Sequence, residues 1–117
     1  MTWKNSWQQV MQQTSTQVLQ SLLRELDNDS EHILQGATVS PPPFKAYWGH
    51  LATHCCPVAY CLNGGLEGSV AEGERLFAAY LDEHPDLRCF LDFWDYAERV
   101  VAVPKLRDAV AAELEQR

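Results

Sequence analysis

The sequence predicts an all-α fold, a compact bundle of about five helices in a single domain over residues 1–117. Three observations carry that reading. Apolar residues recur at three- and four-residue steps along most of the chain, no stretch alternates with the period of a strand, and capping and breaking signals cut the chain into helix-length segments. A chain of 117 residues can also bury a core without disulfide or metal staples.

Residues 3–26 read as the first helix. Trp3, Trp7, Val10, Met11, Thr14 and Val18 follow amphipathic spacing, and Leu19, Leu22, Leu23 and Leu26 widen the stripe. The opposite face, with Gln8, Gln9, Gln12, Gln13, Gln17 and Gln20, carries no charge. Asp27 to Glu31 ends this helix, because short polar side chains compete for backbone hydrogen bonds. Pro41-Pro42-Pro43 forces extended backbone before a second helix over 43–62, which is expected to kink at Pro57 for want of an amide hydrogen. Phe44, Trp48, Leu51, Cys55, Val58 and Leu62 would share its core face, and Asn63-Gly64-Gly65 would stop it.

Ser69-Val70-Ala71-Glu72 is a capping box that opens a third helix over 69–83. His84-Pro85-Asp86 breaks it and starts the element expected to be central, 86–102. There Leu87, Phe90, Leu91, Trp94 and Val101 line one side, and Cys89, Phe93, Tyr96 and Val100 another. Arg88, Asp92, Asp95 and Arg99 form the polar wedge, spaced to pair across one turn. A helix apolar on two sides has neighbours on both. Glu98 interrupts the first of those sides. Pro104 then begins a last helix, 104–116, with Val103, Leu106, Val110 and Leu114 as its stripe.

The net charge of −7 is concentrated. Residues 67–98 hold nine acids against Arg75 and Arg88, and the flanking segments are close to neutral. Phosphate backbones and anionic membrane surfaces need clustered Lys and Arg, so nucleic-acid and membrane partners are not expected. An acidic surface suits solubility or a basic partner protein. The start of the chain has no apolar core of a secretory signal, and the uncharged run Asn5–Leu23 is too rich in Gln, Ser and Thr to span a bilayer. Cysteines at 55, 56, 61 and 89 are not spaced as a disulfide framework, so the expectation is reduced thiols and a cytoplasmic protein.

The densest group of ligand-type side chains is His50, His54 and Cys61. On one continuous helix these would point the same way, and imidazole with thiolate can bind zinc or another divalent metal. The Glu of a His-Glu-x-x-His signature is absent, since Leu51 follows His50. Cys56, opposite the predicted core stripe, is a candidate exposed thiol. Glu98 is a candidate buried acid, which could pair with His50, His54 or His84 for acid–base work. Tyr47, Trp48, Tyr80 and Trp94 are candidate pocket aromatics. Trp3, Trp7, Gln8 and Gln12 are candidates for an interface, because interface cores deplete charge and favour Trp.

No set of catalytic residues emerges, and the reading leans away from an enzyme. The leading function class is a small acidic interaction protein that self-associates through its first helix, with no cofactor. The alternative is a metal- or small-molecule-binding module built on His50, His54 and Cys61, with Glu98 as a further candidate member of the site.

Overall fold

A computed structural model of the chain describes every residue except Met1, residues 41–47 and Glu67. The fold is all-α, as the periodicity predicts. Among the described residues there are six helices and a two-stranded ribbon: α1 (Trp3–Gln12), α2 (Thr16–Asp27), β1 (Val39–Ser40), β2 (His54–Cys55), α3 (Pro57–Leu62), α4 (Val70–Glu83), α5 (Leu87–Tyr96) and α6 (Arg99–Glu115). No helix is long and apolar enough to cross a membrane, among the described residues. Buried side chains from all six helices join one cluster, with Trp7, Leu19, Leu22, Phe90, Trp94, Leu106 and Val110 completely buried. Fully burying each aliphatic or Phe side chain contributes about 1.5–3 kcal/mol.

The first predicted helix is two. Thr14-Ser15-Thr16 breaks it: Thr14 Oγ1 donates to the Val10 carbonyl (2.7 Å), and Ser15 caps α2 by accepting from the Val18 amide (3.2 Å). The guanidinium of Arg117 closes the exposed end of α1, donating to the carbonyls of Met11 (2.7 Å) and Thr14 (2.9 Å). A cation is favoured at a helix C-terminus for this reason.

Residues 48–56 are not helical, which corrects the 43–62 assignment. Its start, with the triple proline, Phe44 and Tyr47, lies outside the described residues. Pro57 is the first residue of α3 and does not kink a longer helix. A residue before proline is driven to extended backbone, and Cys56 (φ −66°, ψ 162°) takes that geometry while its Sγ accepts from the Ala59 amide at 3.4 Å. The preceding residues then behave as strand. Val39 pairs with Cys55 and Ser40 with His54 in antiparallel register, while Ile33 flanks Cys55 on its other side.

Ser69 caps α4 through the Glu72 amide (3.1 Å), and the Glu72 carboxylate is bonded to Arg75. The expected continuous helix 86–102 ends at Tyr96. Ala97 is extended (ψ 148°) and Glu98 is the N-cap residue of α6, which runs straight through Pro104. The proline removes one hydrogen bond, to the Val100 carbonyl. Val100 and Pro104 are both exposed, so water serves that oxygen at little cost. The break is held by the loop after α2. The Gln35 amide donates to the carbonyls of Trp94 (2.7 Å) and Ala97 (3.0 Å), and Trp94 Nε1 donates back to Leu34 (2.7 Å).

The break changes which helix is central. α5 packs chiefly on α1, α6 on α2 and α3 on α4. Tyr96, Val100 and Val101, expected on apolar faces, are 84%, 74% and 43% exposed. Asp95 and Arg99 do not pair with each other. Asp95 accepts from the Gly36 amide, and Arg99 meets Asp29 (2.8 Å) and the carbonyls of Ser30 and Ile33.

Candidate functional site

The predicted ligand cluster is dispersed. With 48–56 out of the helix, His50 and His54 no longer share a helical face with Cys61. The His50 carbonyl accepts from the Val70 amide (2.8 Å), and His54 Nδ1 sits 2.7 Å from Thr53 Oγ1 with its ring edge-on to His32 at 5.3 Å. Cys61 is buried in α3. No group of three or more His, Cys, Asp or Glu is placed to hold a metal ion, among the described residues.

The other two chemical leads also change. Glu98 is exposed, so it is not a buried acid. Its carbonyl, not its carboxylate, carries the structural role, accepting from the amides of Val101 (2.9 Å) and Ala102 (2.8 Å). Cys56 is buried and its thiol is pushed up to about 12, mainly by that burial. Burial raises Cys61 to about 12 and Cys55 to about 11 in the same way. Thiolate chemistry at neutral pH needs the opposite shift.

The candidate aromatics do not converge either. Tyr47 lies outside the described residues. Trp48 is half-exposed beside Ala71 and Arg75, Tyr80 is buried against His84, and Trp94 is a core residue bonded to Leu34.

The four candidate interface residues divide. Trp7 is completely buried, its ring stacked 4.9 Å from Phe90, and it cannot reach a partner. Trp3 lies flat on Phe93, centroids 4.1 Å apart and planes 7° from parallel, with part of its ring still accessible. Gln8 donates to Glu113 on α6 (2.6 Å), and Gln12 is exposed.

Around these residues α1 forms the floor of two recesses. The larger, about 570 Å³, separates α1 from α6. Trp3, Met11, Ala109 and Ala112 supply its apolar lining, Lys4 and Lys105 its cations, and Asp108 and Glu113 its anions. The Gln8 amide lowers the pKa of Glu113; partial burial opposes this and Arg117 assists it, so the wall is a fixed carboxylate. The smaller recess, about 280 Å³, lies on the other flank and is lined by Gln9, Gln12, Gln13, Tyr80 and His84, with no Lys, Arg, Asp or Glu. No protein-family model, no curated protein and no solved structure matches this chain.

The geometry therefore draws attention to the flanks of α1. Sequence reasoning found Gln8 and Gln12 but missed Glu113 and Arg117, which meet α1 from about a hundred positions away; no local signal marks such a contact. It also missed His32, which lies beside His54 only because segment 32–34 pairs alongside Cys55.

Proposed function

We propose that this protein is a non-enzymatic interaction module that self-associates through α1. The observation that carries the reading is the outward face of that helix. Apart from Trp3 and Lys4, its exposed and half-exposed side chains are the carboxamides of Asn5, Gln8, Gln9 and Gln12, with a recess on each flank, in a chain whose net charge is −7. Two copies approaching with their acidic segments repel each other, and the uncharged side avoids that repulsion. A carboxamide carries both donors and acceptors, so one Gln can pair with another across a two-fold axis. A carboxylate or ammonium meeting its own copy cannot.

Sedimentation equilibrium at tens of micromolar tests the proposal. The unmodified chain should sediment as a dimer, and Gln12→Glu with Gln13→Glu should sediment as a monomer with unchanged helical circular dichroism. Both positions are exposed, so the change adds like charge to the surface without entering the core. A monomeric unmodified chain would refute self-association. Substitution of Trp7 is not a usable test, because it would open the core.

A further inference from the structure

We infer that His32 and His54 form a binding site for a divalent metal ion of the zinc class, held through one Nε2 atom from each ring. The backbone brings the two residues together. The Cys55 amide donates to the His32 carbonyl (2.9 Å), and the Leu34 amide donates to the Cys55 carbonyl (2.8 Å), so the chain at His32 is laced to the strand that carries His54. Their ring centres are 5.3 Å apart. Zinc lies about 2.0–2.1 Å from a ligating imidazole nitrogen and the ring centre about 1.2 Å beyond it, so two imidazoles on one tetrahedral ion have centres about 5.2 Å apart. A plain ring contact has a similar spacing, and the nitrogens tell the two apart.

Thr53 fixes the tautomer of His54. Its hydroxyl has one proton, which goes to the Ser40 carbonyl (3.2 Å), a group that can only accept. The Thr53 oxygen, 2.7 Å from His54 Nδ1, therefore accepts from that ring, and neutral His54 keeps its lone pair on Nε2. On His32 the Glu25 carboxylate lies 3.6 Å from Nδ1, and its negative charge favours a proton there too. Both rings thus keep Nε2 free to ligate. Histidines that bind metal ordinarily have this arrangement, with the other N–H given to an oxygen that orients the ring. The His32 side chain is 46% exposed, so its ring can turn toward an ion on His54 without disturbing the core. Two neutral imidazoles suit zinc, copper or nickel, whereas magnesium and calcium take oxygen ligands. Water fills the remaining positions, since no group of three or more His, Cys, Asp or Glu is placed to hold an ion, among the described residues. The bound ion ties the loop after α2 to the ribbon.

The experiment is zinc titration of the full chain at neutral pH, with the imidazoles followed in long-range ¹H–¹⁵N spectra. Before zinc is added, His54 should show the Nδ1–H form. One ion should bind per chain, moving the Nε2 resonances of His32 and His54 together and leaving those of His84 in place. His32→Gln and His54→Gln should each weaken binding about tenfold or more, and Thr53→Val, which removes only the orienting hydroxyl, about tenfold. These three side chains are exposed or half-exposed, so the variants should keep the helical circular dichroism of the unmodified chain. Zinc should raise the melting temperature of the unmodified protein and not that of His54→Gln. An Nε2–H tautomer at His54, no binding, or binding undiminished in the two histidine variants overturns the inference. One ion per two chains also overturns it, because the ligands would then come from two copies.

Discussion

Cys55, Cys56 and Cys61 behave as small apolar side chains with a titratable proton. Their pKa values, raised by burial to about 11, 12 and 12, lie above the value of about 8.5 expected in the unfolded chain. The unfolded state therefore loses these protons first as pH rises. Stability from the protonated thiols is intact below about pH 8.5 and declines as pH climbs toward the folded values. The urea midpoint should fall between pH 8 and pH 10.5, and less steeply in Cys61→Ala. At neutral pH a thiol reagent should label Cys89, the partly exposed cysteine, first, with the other three reacting only on denaturation. Equal reaction at all four sites would contradict the burial. Glu98 gives the complementary lesson. Its place in an apolar stripe was legible, but the stripe assumed a continuous helix, and a two-residue break turned the residue to solvent. Trp7 shows the reverse: its helical spacing correctly marks a buried face, and only tertiary packing tells whether that face meets the same chain or another.

The elements divide by the range of the interactions that define them. The Ser69 cap, the stop at Asn63-Gly64-Gly65 and the stripe through Val103, Leu106 and Val110 depend on near neighbours, and they were readable. The two prolines exchanged roles. Pro57 starts a helix and Pro104 sits inside one, because strand pairing holds the residues before Pro57, while Gln35 and Arg99 fix the break ahead of α6. Pro104→Ala restores an amide to α6, and it should stabilise the fold by about 1 kcal/mol after allowing for the freer unfolded chain. Gly73 in α4 should respond in the opposite direction. Helix propensity alone favours alanine there by about 1 kcal/mol. A Cβ at that position, however, would stand 2.7 Å from Asn63 Nδ2 and 2.9 Å from Val39 Cγ1, both nearer than real contacts allow. Val39 is itself buried on β1 and has little room to retreat. Gly73→Ala should therefore lower stability by about 1–3 kcal/mol in urea unfolding, and a gain would show that the ribbon yields easily.

At the scale of the whole molecule, charge segregation decides how association responds to salt. The acids of residues 67–98 include the exposed Asp82, Glu83, Asp92 and Glu98, whereas the outward side of α1 is neutral apart from Lys4. Under the proposed self-association, two such molecules would repel at long range and adhere through amides at short range. Raising ionic strength from about 0.01 to 0.15 M shortens the screening length from about 30 Å to about 8 Å, which removes most of the repulsion and leaves the contact itself. Self-association should therefore strengthen several-fold over that range in sedimentation equilibrium. A basic partner docking on the acidic segment would do the opposite, because its attraction is the part that salt screens. The sign of the salt dependence thus separates the two modes of association that the sequence suggests. If association of the purified chain weakens with salt, the contact involves complementary charge, and the neutral face of α1 is not where the copies meet.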